Sequence, residues 1–223
     1  MKYDPIKEII GRAVRDRVVL RKAFYKLLGL MFLREWYVKR AIRALMKGSP
    51  VRTMLDAGSG FGQYSYYCAK KFPHLSILAV DVKEEQIADC SRFFSKAGLS
   101  SVTFAVEDLT QPLHQNEFDF ILSVDVMEHI PDDVAVFRNL FRALKPGGSL
   151  LINTPSNLGG SDVHSPHDTS FIEEHARTGY DMDEIKNKLS SAGFATQRVR
   201  FTYGGFGNMA WRLGIKYPMV LLN

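Results

Sequence analysis

Residues 53 to 62 read Thr-Met-Leu-Asp-Ala-Gly-Ser-Gly-Phe-Gly, a short apolar run that ends in an acidic residue and breaks into a G-x-G-x-G turn. No other stretch limits the fold as tightly. The run predicts a buried parallel strand, and glycines at 58, 60 and 62 remove Cβ atoms where a backbone must turn sharply and approach a ligand closely. A dinucleotide loop carries its third glycine one place later, where this chain has Gln63, and Asp56 sits two residues before the first glycine. The spacing therefore predicts a nucleotide-binding loop of another kind.

The residues that follow alternate strand and helix signals. Gly48-Ser49-Pro50 marks a boundary, and Met54–Ala57 is the first strand, with a helix from about Gln63 to Lys71. Ser76–Val82 is the second strand and contains Asp81, 23 residues after Gly58, where a nucleotide fold places a carboxylate to accept both ribose hydroxyls. A helix over Lys83–Gly98, a strand over Val102–Val106 and an almost unbroken apolar strand over Phe118–Val124 come next. A helix from Asp132 to Leu144 leads into a Lys145-Pro146-Gly147-Gly148 turn and a fifth strand, Ser149–Asn153. Asp181 and Glu184 form a capping box for a helix that stops at Gly193, before a sixth strand at Phe194–Tyr203.

Asp56 with its glycine loop, the acidic Asp81, the Phe118-Asp119 to Glu128-His129-Ile130 run and the Lys-Pro-Gly-Gly turn stand in this order between residues 56 and 148. In that order they resemble the class I S-adenosylmethionine-dependent methyltransferases of the small-molecule type. The resemblance covers about residues 50 to 200 and implies an α/β, Rossmann-like three-layer sandwich with a mostly parallel sheet. It implies S-adenosylmethionine as cofactor, with Asp56, Ala57, Gly58, Ser59, Gly60 and Gly62 at the methionine end. Asp81 would serve the ribose and Asp108 the adenine, with Val82, Leu109, Ser123 and Val124 as further cofactor-binding residues. The chain departs from the family after Tyr203, where no seventh strand is visible beyond a short apolar stretch at Met219–Leu222, so an incomplete sheet is expected.

Methyl transfer from a sulfonium needs alignment more than acid-base machinery, and one general base suffices for a hydroxyl acceptor. His129 leads as that base, followed by His164, His167 and His175 in the Pro-, Gly- and Ser-rich stretch Thr154–Tyr180, which is too long for an idle loop. His164, His167, Glu173, Glu174 and His175 also have the composition of a metal site, but a solvated charged lid accounts for them and no metal is expected. Cys68 and Cys90 lack C-x-x-C spacing, which points to a reducing, cytoplasmic compartment. Neither a signal peptide nor an 18-residue apolar segment is read from the sequence.

Charge is regional. Residues 1–47 hold thirteen Lys or Arg against four Asp or Glu, so a total of +5 leaves −4 on residues 48–223. A mildly acidic catalytic domain argues against nucleic acid as a partner. The expected organisation is a basic amphipathic arm, 1–47, followed by the methyltransferase domain, 48–223. The arm either packs as a lid or lies on an anionic membrane, peripheral at its inner face, since Leu27–Leu33 is followed by Trp36, Tyr37, Lys39 and Arg40. The expected acceptor is a small lipophilic molecule such as a quinone, isoprenoid or lipid headgroup, with a soluble metabolite as the alternative. An NAD-dependent oxidoreductase and a non-catalytic S-adenosylmethionine-binding protein are the readings from other classes, and Gln63 weighs against the first. The oligomeric state is not encoded legibly.

Overall fold

A computed structural model describes residues 17–48, 50–158, 176–195 and 197–202. Two helices come first, α1 (Val18–Met31) and α2 (Leu33–Gly48). They are followed by β1 (Thr53–Ala57), α3 (Gln63–Lys71), β2 (Ser76–Asp81), α4 (Glu84–Lys96) and β3 (Val102–Val106). After β4 (Phe118–Val124) come a 3-10 turn (Met127–His129), α5 (Asp133–Ala143), β5 (Leu144–Asn153) and α6 (Met182–Ala192).

The strands form a parallel sheet in the order β3-β2-β1-β4-β5. Alternation along each strand sends neighbouring side chains to opposite faces. Met54, Phe120 and Leu122 join a core with α1, α2, α3 and α4, whereas Leu55, Ala57 and Ile121 join a second core with α5 and α6. Both faces are covered, which is why β1 and β4 read as continuous apolar runs. The result is the expected Rossmann-like three-layer α/β architecture. The order reverses between β1 and β4, and open sheets of this kind place ligands at the carboxyl ends of the strands beside that reversal.

Two elements differ from the sequence reading. Lys145-Pro146-Gly147-Gly148 is not a turn before β5 but a bulge inside it, because pairing passes from Phe118↔Leu144 directly to Phe120↔Ser149. Four residues thus oppose Asp119 alone. Lys145 Nζ reaches the Asp119 carboxylate at 2.9 Å and Thr53 Oγ1 at 3.0 Å, while Asp119 Oδ2 accepts from the Arg52 and Thr53 amides at 2.8 and 2.9 Å. A Cβ on Gly148 would lie 2.9 Å from the Lys145 carbonyl oxygen, so the second glycine is a steric requirement.

The other difference is at the expected sixth strand. Described residues between Phe194 and Thr202 take no strand conformation. Local contacts draw the segment onto the helices instead: Phe194 packs edge-on against Phe141 at 5.1 Å, and the Gln197 amide donates to Ser190 Oγ at 2.7 Å and the Phe194 carbonyl at 3.0 Å. The expected seventh strand lies outside the described residues.

Candidate functional site

β1 delivers the glycine loop to the carboxyl edge of the sheet. Gly58, Gly60 and Gly62 all have positive φ, at 83°, 49° and 73°. The Gly58 and Ser59 amides donate to the Val80 carbonyl at 2.9 and 2.8 Å, which fastens the loop to β2. Gly60 N–H then donates to Asp81 Oδ2 at 3.0 Å, and Lys83 N–H to Asp81 Oδ1 at 3.0 Å. Each carboxylate oxygen keeps acceptor capacity for a further donor. A Cβ on Gly58 would sit 2.3 Å from Val126 Cγ2, so the loop and the segment after β4 touch at a point only glycine can fill.

The remaining cofactor candidates distribute around this edge. Asp56 lies beneath the loop, 2 % exposed, with Oδ2 accepting from Ser65 Oγ at 2.5 Å. Burial pushes its carboxyl up to about 6, against the opposing Ser65 hydrogen bond. Ala57 and Ser123 are fully buried, while Ser59 is buried with its Oγ lacking a protein partner. Val124 ends β4 on the first core, and Leu109 packs on the second. Asp81 pairs in register with Val106, which sets the loop after β3 beside the end of β2. There Asp108 Oδ1 accepts from Thr110 N–H and Oγ1 at 2.9 and 2.8 Å. Val82 and Val106 flank this edge as large apolar side chains left 53 % and 51 % exposed. Exposed apolar side chains beside two carboxylates on one edge suit a flat base joined to a sugar. With the side-chain-free cradle, they fit an adenosine-containing cofactor.

The segment after β4 carries the charges that sequence reasoning missed. Asp125 has φ +54°, a conformation rare outside glycine, and pairs with Arg34 at the start of α2. Glu128 is 1 % exposed and accepts from Thr154 Oγ1 at 3.1 Å. Burial first, and the Asp125 charge second, push Glu128 up to about 8. The signal available in the sequence was two carboxylates directly after a buried strand, next to the selected His129. His129 stands in the 3-10 turn, one fifth exposed, with Nε2 4.0 Å from Glu128 Oε1. His164, His167 and His175 lie outside the described residues. The described ends of their segment are both tied to this edge. Ser156 bridges Tyr180, the Ala176 amide donates to the Glu128 carbonyl at 2.8 Å, and Arg177 donates to the Ile130 carbonyl at 2.7 Å and pairs with Asp133.

Because the folded Glu128 carboxyl binds a proton that the unfolded chain has released, its stabilisation is complete below about 4.5 and lost as pH rises through about 8. Urea unfolding should therefore lose stability across that window, on the order of 1 kcal/mol per pH unit at its steepest. Glu128→Gln should reduce the slope above about pH 6 and leave, below it, the part that the raised Asp56 carboxyl contributes. An unchanged slope between about pH 6 and 8 in that variant would mean that Glu128 is not the titrating group.

α1 holds the loop from its other side. Arg21 donates through Nη2 to the Phe61 carbonyl at 2.9 Å and through Nη1 to Asp89 at 2.5 Å, and the Tyr25 hydroxyl also donates to the Phe61 carbonyl. A cavity of about 600 Å³ opens beyond the ends of β4 and β5, lined by Phe32, Arg34, Tyr37, Asp125, Leu150–Thr154, Tyr180, Ile185, Arg198 and Arg200 among others. Its wall is mixed, with apolar side chains beside Arg34, Asp125, Asp181, Arg198 and Arg200. Among the described residues no cluster of His, Cys, Asp and Glu is arranged to hold a metal, and no helix is long and apolar enough to cross a membrane.

Residues 55–152 match the family described as a methyltransferase domain. Phosphoethanolamine N-methyltransferase 1 of Arabidopsis thaliana is 32 % identical over 188 residues, 81 % of this chain and 35 % of the relative. The chain thus spans about a third of that relative's length. Chloroplastic tocopherol O-methyltransferase of the same plant is 30 % identical over 63 % of this chain and 43 % of its own. Among solved structures, a phosphoethanolamine N-methyltransferase 2 of Haemonchus contortus, in complex with phosphomonomethylethanolamine and S-adenosylhomocysteine, aligns with TM-score 0.61 and 25 % identity. That alignment covers 83 % of this chain and 44 % of the other.

Proposed function

We propose, from the match of residues 55–152 to the methyltransferase-domain family, that the chain transfers a methyl group from S-adenosylmethionine to a small acceptor with a lipophilic body. The observation that carries the reading is the Gly58–Gly62 cradle fastened to Asp81 through the Gly60 amide. When bound, the cofactor supplies a methyl group already activated on sulfur. The chain's own part is to hold and align. Asp56, Ala57, Gly58, Ser59, Gly60 and Gly62 hold the methionine end, and Asp81 with Val82 receives the ribose. Asp108 and Leu109 meet the adenine, and Ser123 and Val124 floor the site. His129 takes the acceptor proton, with His164, His167 and His175 as further candidates. The apolar side chains in the lining of the 600 Å³ cavity, Phe32, Leu150, Ile152 and Ile185 among them, support a lipophilic acceptor, and association with an anionic membrane through the basic arm belongs to the same reading.

Calorimetric titration with S-adenosylmethionine, S-adenosylhomocysteine and NAD tests the donor. Tight binding of the first two is expected. Binding of NAD alone would overturn the assignment. Asp81→Ala should weaken S-adenosylmethionine by about 1.5–3 kcal/mol, the size of a lost charge-assisted hydrogen-bond pair. Wild-type affinity in that variant would remove Asp81 from the ribose site.

A second reading is favoured by a specific likeness. The relatives named phosphoethanolamine N-methyltransferases support a soluble phosphorylated amine as acceptor, and Arg34, Arg198 and Arg200 line the cavity. Turnover with phosphoethanolamine but not with a lipophilic phenol in detergent would select it.

A further inference from the structure

Helix α1 is apolar on two opposite sides. Its inner side, Phe24, Tyr25 and Leu28 with Arg21, is buried in the core and grips the glycine loop. Such a helix normally turns charge to the solvent on its other side. Here Val19, Ala23, Leu27 and Leu30 recur at spacings of four, four and three and are all exposed, Val19 by 77 % and Leu30 by 85 %. Met31, Leu33 and Trp36 extend the exposed apolar surface around the α1–α2 corner.

Cations border this ridge. Lys22 and Lys26 flank it on α1, and the Arg40 guanidinium stacks over the Trp36 ring at 5.4 Å. Residues 17–48 hold nine Lys or Arg and one acidic residue, Glu35. Three of the nine are spent inward, Arg21 on Asp89, Arg34 on Asp125 and Lys39 on Glu35. Residues 48–223 sum to −4, so the molecule is polarised, with its positive end at the ridge.

We propose that the outer ridge of α1, Val19-Ala23-Leu27-Leu30 with Lys22, Lys26, Trp36 and Arg40 around it, docks on an anionic lipid bilayer. The ridge is convex, and a convex apolar strip edged by cations and an indole suits a fluid interface, into which the leucines sink while the cations meet headgroup phosphates. The acidic remainder of the chain orients the ridge toward the surface by repulsion of its other end. This deepens the lipophilic-acceptor reading and rests on it for its purpose, since it sets the cofactor loop one helix away from the bilayer. The binding itself needs neither donor nor acceptor.

The test is co-sedimentation of the full chain with vesicles of phosphatidylglycerol and phosphatidylcholine, against vesicles of phosphatidylcholine alone, at two salt concentrations. Binding to the anionic vesicles, weakened by salt, is expected. Leu27→Glu with Leu30→Glu should reduce it by about tenfold or more, and Lys22→Glu with Lys26→Glu by a similar factor, while thermal unfolding stays within a few degrees of wild type because none of the four side chains is in the core. If the leucine pair proves poorly folded, the lysine pair carries the decision alone. Equal sedimentation with both vesicle types, or undiminished binding by the folded variants, would overturn the proposal. So would a lipid-independent dimer that dissociates in the leucine variant and shows no vesicle binding, which would assign the ridge to a second copy of the chain. Absence of S-adenosylmethionine binding alongside intact vesicle binding would defeat the donor assignment and leave the ridge standing.

Discussion

A Gly58→Val variant should fail to bind S-adenosylmethionine measurably and lose about 2–5 kcal/mol of stability. Two separate costs meet at this residue. Its φ of +83° is unfavourable for any side chain, by about 1–2 kcal/mol, and more so for a β-branched one. The new Cβ would also lie 2.3 Å from Val126 Cγ2 and within 3.2 Å of two further Val126 carbons, and forced overlap in a packed region costs about 1–3 kcal/mol. The loop can relieve the overlap only by moving off β2, which breaks the Gly58 and Ser59 bonds to the Val80 carbonyl and shifts the Gly60 amide from Asp81. Chemical denaturation and calorimetry read the two effects separately. Val126→Ala in a Gly58→Ala background should recover the packing part and leave the backbone part. Full recovery would show that the backbone conformation at Gly58 is not strained by a side chain.

The second large effect is expected at Arg21. Arg21→Met keeps much of the aliphatic bulk but leaves the Asp89 carboxylate, 6 % exposed, without its 2.5 Å partner. Arg92 approaches Asp89 only at 3.7 Å from an exposed position. Burial alone would lower the Arg21 pKa, yet the surrounding Tyr25, Cys90 and Asp89 outweigh it and raise the value above the ordinary arginine range, so the guanidinium stays charged. Breaking one half of such a buried pair costs about 3–5 kcal/mol. The guanidinium also stacks on Phe93 at 4.6 Å and holds the Phe61 carbonyl of the glycine loop at 2.9 Å, so cofactor affinity should fall together with stability. Adding Asp89→Leu removes the orphaned charge and should restore much of the stability but not the affinity. A single-variant loss below about 1 kcal/mol would place Arg21 in a solvated setting and detach α1 from the loop.

Much of the sheet was legible because its signals are local. Expected limits for α3, β3 and β4 match those observed, and β1 gained one residue, since glycines and unbroken apolar runs mark these elements within a few positions. Lys145–Gly148 misled because Pro-Gly-Gly reads as a turn from its own chemistry. What makes it a bulge is Asp119, 26 residues earlier, whose carboxylate receives Lys145. Phe194–Tyr203 misled for a related reason: a β-like composition without an adjoining strand among the described residues finds helix surfaces instead. In the site, the glycine loop and Asp81 were visible as a motif and their contact is direct. Arg34 with Asp125 spans 91 residues and Arg21 with Asp89 spans 68, distances over which no spacing rule operates. Arg21 did leave a trace, a charge at the apolar positions 21, 24, 25 and 28 of α1, but its partner could only come from the fold.

The bulge opposite Asp119 also fixes the handedness of side-chain placement in β5. Across it the partner offset grows by three residues, an odd number, and strand positions alternate between faces with a period of two. Leu150 and Ile152 consequently meet the α5 and α6 core while Leu151 meets the opposite one. Had the insertion been two residues or four, the same strand would present its faces exchanged, with the Asn153 end turned inside out at the rim of the cavity. The length of a four-residue irregularity at the amino end of the sheet is thus a parity device for the wall of a pocket at the carboxyl end.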